Sequence, residues 1–194
     1  MIIKNLKRKN TELGSCVVSS PLPNLSYAKK QRTICKPISF SGIGLHSGKN
    51  VKMTLHPAID DSGYTFKIKN GPYSFIEIAA DYKNVTSTKL CTTISNDSGH
   101  SISTTEHILS ALYGLNVDNV IIELNANEIP ILDGSSSEFV KSIIGTGTLG
   151  QENFKKVIKI KKSIEVKEGN KVARVSPHNE TMVTCEIEFD SEII

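Results

Sequence analysis

The chain contains no tryptophan, and aromatic residues make up only 6% of its 194 positions. It also lacks an apolar run of the roughly 20 residues that a membrane-spanning helix needs. No apolar core follows Met1, so a secretory signal is not expected. The hydrophobic share of 38% is low but compatible with a packed core, and the length predicts one full domain with the start of a second.

Closely spaced cysteines are missing as well. The four cysteines, Cys16, Cys35, Cys91 and Cys185, are far apart and form no CxxC pair. This spacing argues against a thiolate zinc site and against a redox motif. A reduced, cytoplasmic setting is the simpler expectation.

Positive charge is scarce outside the N-terminal region. The formal net charge is +3, yet residues 1–30 carry six basic side chains and one acid, a net of +5 that leaves −2 for the rest. A nucleic-acid surface needs Lys and Arg spread through the folded part, so nucleic acid is not expected as a partner. The basic segment 1–30 is interrupted by prolines and predicted to be a disordered tail, with an organelle transit segment as the alternative.

Alternating apolar and polar residues predict mostly strands from Gln31 onward. Two stretches instead show helical spacing, about 104–114 and about 136–144. A hydroxyl of Thr104 or Thr105 is expected to cap the first helix. Together these elements predict an α+β domain over residues 31–150. The predicted strands of this domain cover residues 32–40, 51–55, 64–68, 76–78, 90–94 and 117–124.

The remaining residues, 151–194, are predicted to be a linker and the opening strands of a second domain. Residues 145–153 are glycine-rich and polar, as in a linker. Strands are predicted at 157–166, 171–175 and 182–189, without a helix to cover their apolar face. On this basis the second domain is expected to be truncated.

The best candidates for chemistry are Glu106 and His107, adjacent in the first turn of the first predicted helix. A metal hydrolase needs a ligand imidazole with a carboxylate base close to it. A glutamate at a helix start is also favoured simply by the helix dipole, so the dipeptide alone leaves both interpretations open. The glycines at 42, 44 and 48 lack the Lys-Ser/Thr of a phosphate-binding loop.

Five motifs in order resemble the UDP-3-O-acyl-N-acetylglucosamine deacetylase family, a group of zinc-dependent hydrolases of lipid A biosynthesis. The resemblance runs from about Gln31 to the C-terminus. The motifs are Gly42-Ile43-Gly44-Leu45-His46-Ser47-Gly48, Leu90-Cys91-Thr92-Thr93, Thr105-Glu106-His107-Ile108-Leu109-Ser110-Ala111-Leu112, Val117-Asp118-Asn119, and Glu128-Ile129-Pro130-Ile131-Leu132-Asp133-Gly134-Ser135.

The resemblance implies two α+β domains of the ribosomal protein S5 domain 2-like fold with an active site between them. It assigns the general base to Glu106 and the first Zn²⁺ ligand to His107. It also implies that the substrate, UDP-3-O-acyl-N-acetylglucosamine, is bound by a cleft. The residues matching the segments that line this cleft are Leu45, His46, Leu90 and Cys91.

The chain departs from the family pattern in its second half. The family's two other zinc ligands lie in a His-Lys-x-x-Asp motif, and its general acid is a later histidine; neither occurs here. Since a catalytic zinc takes three protein ligands, this chain is expected to be a truncated form with one of them. A separately encoded C-terminal half is then an expected partner. A non-catalytic fragment or partner-binding module is the alternative function.

Overall fold

The computed structural model describes residues 15–21, 29–179 and 181–188, with the backbone alone for 15–21 and for Glu188. It contains several sheets and few helices, which confirms the predicted α+β class. The chain forms two compact units, one of residues 28–155 and one of residues 1–27 with 156–194.

The secondary structure of the described residues begins with strand β1 and ends with strand β14. A single 3₁₀ turn, Tyr82–Asn84, precedes β7. In chain order the elements are β1 (Ser15–Pro21), β2 (Lys30–Ile34), β3 (Ile38–Ile43), β4 (Asn50–Pro57), β5 (Tyr64–Lys69), β6 (Phe75–Ala79), β7 (Val85–Ser87), β8 (Thr93–Ser95), β9 (Ser101–Ile102), α1 (Glu106–Gly114), β10 (Val120–Leu124), α2 (Ser137–Thr146), β11 (Thr148–Phe154), β12 (Ile164–Glu168), β13 (Lys171–Val175) and β14 (Met182–Glu188).

The unit of residues 28–155 is built on a five-stranded sheet in the order β3-β4-β10-β5-β6. β10 runs parallel to β5, and the other pairs are antiparallel. Ile122 lies opposite Leu55 on one side and Phe66 on the other, and all three side chains are fully buried. Side chains of residues paired across neighbouring strands point to the same face of the sheet. The row of Leu55, Ile122 and Phe66 therefore forms the middle of the core.

Both helices contribute to the same core. Ile108, Ala111 and Leu112 of α1 are buried in one hydrophobic cluster with Phe139 and Ile143 of α2 and with the inward side chains of the sheet. Their spacing of three and four residues is that of one helix face. The helices therefore pack their apolar faces into the same core as the sheet. The first turn of α1 lies at the edge of this core.

Two smaller sheets complete this unit, and one of them corrects the prediction. β7, β8 and β9 form a three-stranded sheet, and β11 pairs antiparallel with β2. The expectation of a linker over residues 145–153 is wrong, since α2 runs to Thr146 and β11 begins at Thr148. Gly147, with φ 83°, reverses the chain between them, a conformation that favours glycine.

The predicted strand over residues 32–40 is two strands, β2 and β3. Cys35 donates its N–H to the Gly147 carbonyl, and the chain turns before Ile38. Pro37 lies at this turn and has no N–H that could take part in strand pairing. The chain is therefore interrupted between the end of β2 and the start of β3. Sequence periodicity continued across the turn and therefore did not reveal it.

The other unit contains two antiparallel strand pairs. β12 pairs with β13, and β14 pairs with β1. The alternating pattern correctly predicts β13 and the whole of β14, whereas the predicted strand over 157–166 begins only at Ile164. Every residue of β12 and β13 is exposed, including Ile164 and Val166.

The segment 1–30, predicted to be a tail, lies mostly outside the described residues. Within it, Ser15–Pro21 forms β1. The division into a tail, a first domain over 31–150 and a second part over 151–194 stays a prediction. Among the helices that the structure describes, none is long and apolar enough to cross a membrane.

Candidate active site

Glu106 is the first residue of α1, and its carboxylate is fixed by a backbone group. Its Oε2 accepts the N–H of Thr92 at 3.0 Å, and the side chain is partly exposed. An acidic side chain at this position interacts favourably with the partial positive charge at the N-terminal end of a helix. The Glu106 carboxylate is thus fixed in position at the edge of the core, where it is accessible to solvent or a ligand.

Thr105 ties the same segment to the helix start. Its N–H and its hydroxyl both donate to the Thr92 carbonyl, at 3.3 and 3.2 Å. The predicted hydroxyl cap is therefore wrong: Thr105 occupies the cap position without a side-chain capping bond. Together with the Glu106 bond, both backbone groups of Thr92 are engaged. The Thr92 main chain is thus fastened to the first turn of α1.

Leu90 and Cys91 precede this anchor. The Leu90 side chain is 83% exposed, and its φ of 66° is unusual for a leucine. Cys91 is half-buried, with its sulfur 3.8 Å from the Thr93 hydroxyl. The two residues thus form a short loop with an apolar side chain in solvent, next to the residue that holds Glu106.

The glycine-rich loop after β3 is held by a distant carboxylate. Glu128 Oε1 accepts the N–H of His46 at 2.8 Å, and Oε2 accepts the N–H of Ser47 at 2.9 Å. Gly44 must be glycine here, because a Cβ at that position would lie 2.4 Å from Glu128 Oε2. The side chains of Leu45, 60% exposed, and of His46 point away from the buried anchor into solvent.

Thr104 connects this loop to α1. Its hydroxyl donates to Glu128 Oε1 at 3.3 Å, and it is buried. Its φ of 59° is a left-handed conformation that β-branched residues rarely adopt, at a cost of about 1–3 kcal/mol. Such strain concentrates at functional sites. Thr104 stands two residues before Glu106, so the strained position sets how the chain enters the helix.

His107 is the second residue of α1 and partly exposed. Its carbonyl accepts the hydroxyls of Ser136 at 2.9 Å and Ser110 at 3.1 Å. Ser136 precedes α2, so this bond joins the two helices beside the imidazole. The backbone of His107 is consequently fixed by residues from both helical segments, and its side chain remains partly exposed.

A chain of bonded neighbours therefore links the predicted site residues. It runs from the His46 loop through Glu128 and Thr104 to the first turn of α1, and on through Thr92 to Cys91. Leu45 and Leu90 project from the two loops at the ends of this chain. The sequence brought these segments together only by resemblance, and the hydrogen bonds supply the physical reason.

The described residues do not supply a complete set of zinc ligands. Within residues 29–179 and 181–187, no group of three or more His, Cys, Asp or Glu side chains could hold a metal ion. A catalytic zinc takes three protein ligands and keeps an open position. His107 fits such a centre as one ligand, and these residues alone do not fit a whole one.

Sequence reasoning missed Glu128, Thr104, Thr92 and Ser136 as parts of the site. Glu128 stands immediately before an apolar run, Ile129 to Leu132, where a buried carboxylate needs partners. That was the available signal. Its partner loop is 82 residues away, and no spacing rule connects the two.

Acid is expected to release the glycine loop. Burial alone raises the pKa of Glu128, but hydrogen bonds from His46, Ser47 and Thr104 outweigh it, and the pKa lies below its usual 4.5. Because the folded-state pKa is lowered, this carboxylate stabilises the fold above about pH 4.5, and the stabilisation disappears as pH falls through the lowered pKa. The protection of the Ser47 amide against hydrogen exchange, measured relative to an unprotected amide at the same pH, should therefore fall in acid. If Glu128→Gln showed the same acid dependence, another group would be responsible.

Comparison with known proteins identifies the family. Fold and site define an α+β protein that presents a glutamate–histidine pair at a helix start, beside a glycine loop held by a carboxylate. The sequence model of the LpxC family, described as UDP-3-O-acyl N-acetylglycosamine deacetylase, matches residues 31–194. The chain belongs to this family.

Relatives from several bacteria support the same conclusion. A UDP-3-O-acyl-N-acetylglucosamine deacetylase of Actinobacillus succinogenes is 44% identical over 167 residues, covering 85% of this chain and 54% of the relative. One from Xanthomonas oryzae pv. oryzae is 44% identical over 165 residues, with the same coverage. One from Neisseria meningitidis serogroup C is 41% identical over 174 residues, covering 84% and 53%. The chain spans about half the length of the curated relatives it matches.

Proposed function

We propose that this chain takes part in the zinc-dependent deacetylation of UDP-3-O-acyl-N-acetylglucosamine in lipid A biosynthesis. The observation that carries the proposal is Glu106-His107 at the start of α1, with the Glu106 carboxylate oriented by the Thr92 N–H. The names of the relatives supply the reaction and substrate. The proposal extends the bacterial family to this chain in a cytoplasmic setting.

Glu106 acts as the general base. Its Oε2 is held at 3.0 Å by a backbone N–H, which orients the carboxylate for proton transfer without neutralising it. His107 is the first zinc ligand, and its backbone is fixed by Ser136 and Ser110. When bound, the metal lowers the pKa of a coordinated water. Base and ligand are adjacent in one helical turn and point about 100° apart around the helix axis, so both can border one space.

Leu45, His46, Leu90 and Cys91 form the substrate-binding part of the proposal. Leu45 and Leu90 are exposed apolar side chains on the two loops that are bonded to the start of α1. Exposed leucines at such a place suit the hydrocarbon of an acyl chain, since covering them removes apolar surface from water. His46 and Cys91, beside them, offer polar groups to the sugar portion.

The metal centre is completed by ligands from outside the described residues. His107 supplies one of three, and a separately encoded C-terminal half is the partner we propose for the other two. In this interpretation the chain corresponds to about half of a two-domain protein with the S5 domain 2-like fold, the share of the curated relatives that it matches. A fragment that binds a partner without hydrolysis is the second candidate, favoured by the incomplete ligand set.

Complementation tests the proposal. The full chain is assayed with Zn²⁺ and UDP-3-O-acyl-N-acetylglucosamine, with and without the half of the Actinobacillus succinogenes relative that it does not match. We expect acetate release only from the mixture, because only the mixture holds three ligands. A fused version of the two halves removes the need for spontaneous assembly.

Turnover by the fused protein supports catalysis, and its absence in a folded, zinc-loaded fusion contradicts the proposal in favour of a non-catalytic module. Full turnover by the chain alone would contradict the need for outside ligands.

A further inference from the structure

We propose that Glu128 is a positioning residue of this site: its buried carboxylate locks the loop of His46 to the strained entry of the helix that bears Glu106 and His107. The inference rests on the proposed function for the reaction it serves. Its structural part is the set of hydrogen bonds from His46, Ser47 and Thr104 to the Glu128 carboxylate, here called the lock. These bonds can be measured separately from activity.

The backbone of Glu128 is placed by hydrogen bonds that join its two chain neighbours, Asn127 and Ile129, to Ser103. Ser103 donates its N–H to the Asn127 carbonyl and accepts the N–H of Ile129, both at 3.1 Å. Ser103 and Glu128 thus lie side by side in a parallel bridge. The carboxylate consequently emerges next to Thr104, with little freedom to be elsewhere.

The carboxylate joins donors from two separate parts of the chain. On one side are the N–H groups of His46 and Ser47, each bound to a different oxygen. On the other is the hydroxyl of Thr104. Glu128 itself is only 2% exposed, so water does not substitute for these donors without opening the fold. One side chain therefore fixes the distance between the glycine loop and the entry to α1.

The space around the Glu128 carboxylate is tightly filled. Gly44 approaches so closely that a Cβ would lie 2.4 Å from Oε2 and 2.8 Å from the carboxyl carbon. Charged acceptors form the stronger hydrogen bonds, and a neutral amide would set an NH₂ group against one of the two backbone N–H groups. Exchange of one oxygen for nitrogen thus breaks the lock while preserving the side chain's shape.

The lock controls catalytic geometry through Thr104. This residue holds a left-handed φ of 59° and lies two positions before Glu106. The hydrogen bond from Thr104 to Glu128 stabilises the strained backbone conformation of Thr104. Without this bond, the first turn of α1 is free to shift. A displacement of about 1 Å at a reacting group can cost about 10²-fold in rate. Glu128 therefore acts through its neighbours.

The first test detects the lock in the chain as it exists. Amide NMR spectra of the full chain are compared with Glu128→Gln and with the matched control Glu152→Gln, which changes an exposed carboxylate paired with Lys30. We expect the His46 and Ser47 amides to shift and to exchange faster in Glu128→Gln, and to be unchanged in the control. Unchanged amides in Glu128→Gln would overturn the proposal.

The second test measures turnover in the fused two-half enzyme. Glu128→Gln is expected to lower kcat by about 10²-fold with KM little changed, because the loss is of alignment and affects the transition state. Thr104→Val removes one donor to a charged acceptor, keeps the β-branched shape and should lower kcat about tenfold. It also serves if Glu128→Gln fails to fold. Glu152→Gln should match the unmodified enzyme.

The outcomes separate the two proposals. Normal kcat in both Glu128→Gln and Thr104→Val, with an inactive Glu106→Gln, overturns the positioning role and leaves the proposed function standing. An equal loss in Glu152→Gln would show a general effect of charge and also overturn it. An unmodified fusion that binds zinc without turnover overturns the proposed function, and with it any catalytic role for Glu128, even where the NMR shifts show the lock.

Discussion

Glu106→Gln is expected to lower kcat of the fused enzyme by about 10²–10⁴-fold, the usual contribution of a positioned general base. Glutamine keeps the shape and can still accept the Thr92 N–H, so the loop and helix start should stay in place. What disappears is the ability to take a proton. KM should change little, since the carboxylate is needed in the transition state more than for binding. Steady-state kinetics at saturating zinc measure both constants.

Glu138→Gln is the matched control for this substitution. Glu138 is the acidic residue in the first turn of α2, as Glu106 is in the first turn of α1. Both changes remove one negative charge from a helix start and sacrifice the same favourable dipole interaction. Glu138 is exposed, and its variant should retain full kcat. Comparable losses in the two variants would mean that helix stability, not proton transfer, explains the effect.

The core of residues 28–155 could be predicted because it follows simple periodicities. Val51, Met53 and Leu55 alternate along one strand and are all fully buried. The apolar stripe of α1 is buried at Ile108 and Leu112, as its spacing predicts. Alternation and helical spacing report which face of an element is apolar, and burial of that face is the dominant favourable term in folding.

The ends of elements and the polar anchors could not be predicted in the same way. The Thr105 hydroxyl has a suitable helix start to cap, yet it bonds the Thr92 carbonyl instead. Glu128 finds its donors 82 positions away, on a loop whose shape depends on Gly44. Hydrogen-bond partners are chosen by the folded geometry, and composition alone does not tell which of several possible donors will be nearest.

The assignment of the Glu106-His107 pair shows the same limit from the functional side. In sequence, the pair is a common helix start, and only the surrounding motifs suggest chemistry. In the structure, Thr92 and Thr105 supply three hydrogen bonds that hold the first turn, and Thr104 is strained just before it. A capping role alone needs none of this. This support around the pair favours the proposed catalytic site over an ordinary helix end.

Phe139→Ala is expected to lower the free energy of unfolding by about 3–5 kcal/mol, the range for removing a buried aromatic ring from a core. Phe139 on α2 is fully buried, and its ring forms a T-shaped pair with that of Phe40 on β3, with centroids 5.0 Å apart. Alanine leaves a cavity between the helix and the sheet, and it removes the aromatic contact as well. Denaturant titration monitored by helical circular dichroism measures the loss, because both described α-helices belong to residues 28–155.

Ile144→Ala on the same helix supplies the control, since its side chain is 59% exposed. Both substitutions introduce alanine, the best helix former, so local helix propensity does not explain a difference between them. The control should change the free energy of unfolding by no more than about 0.5 kcal/mol. Similar losses in the two variants would show that α2 is not packed on the sheet as the structure has it. A loss confined to Phe139→Ala would place the helix, and with it the Ser136 hydroxyl that binds the His107 carbonyl, on the core that supports the site.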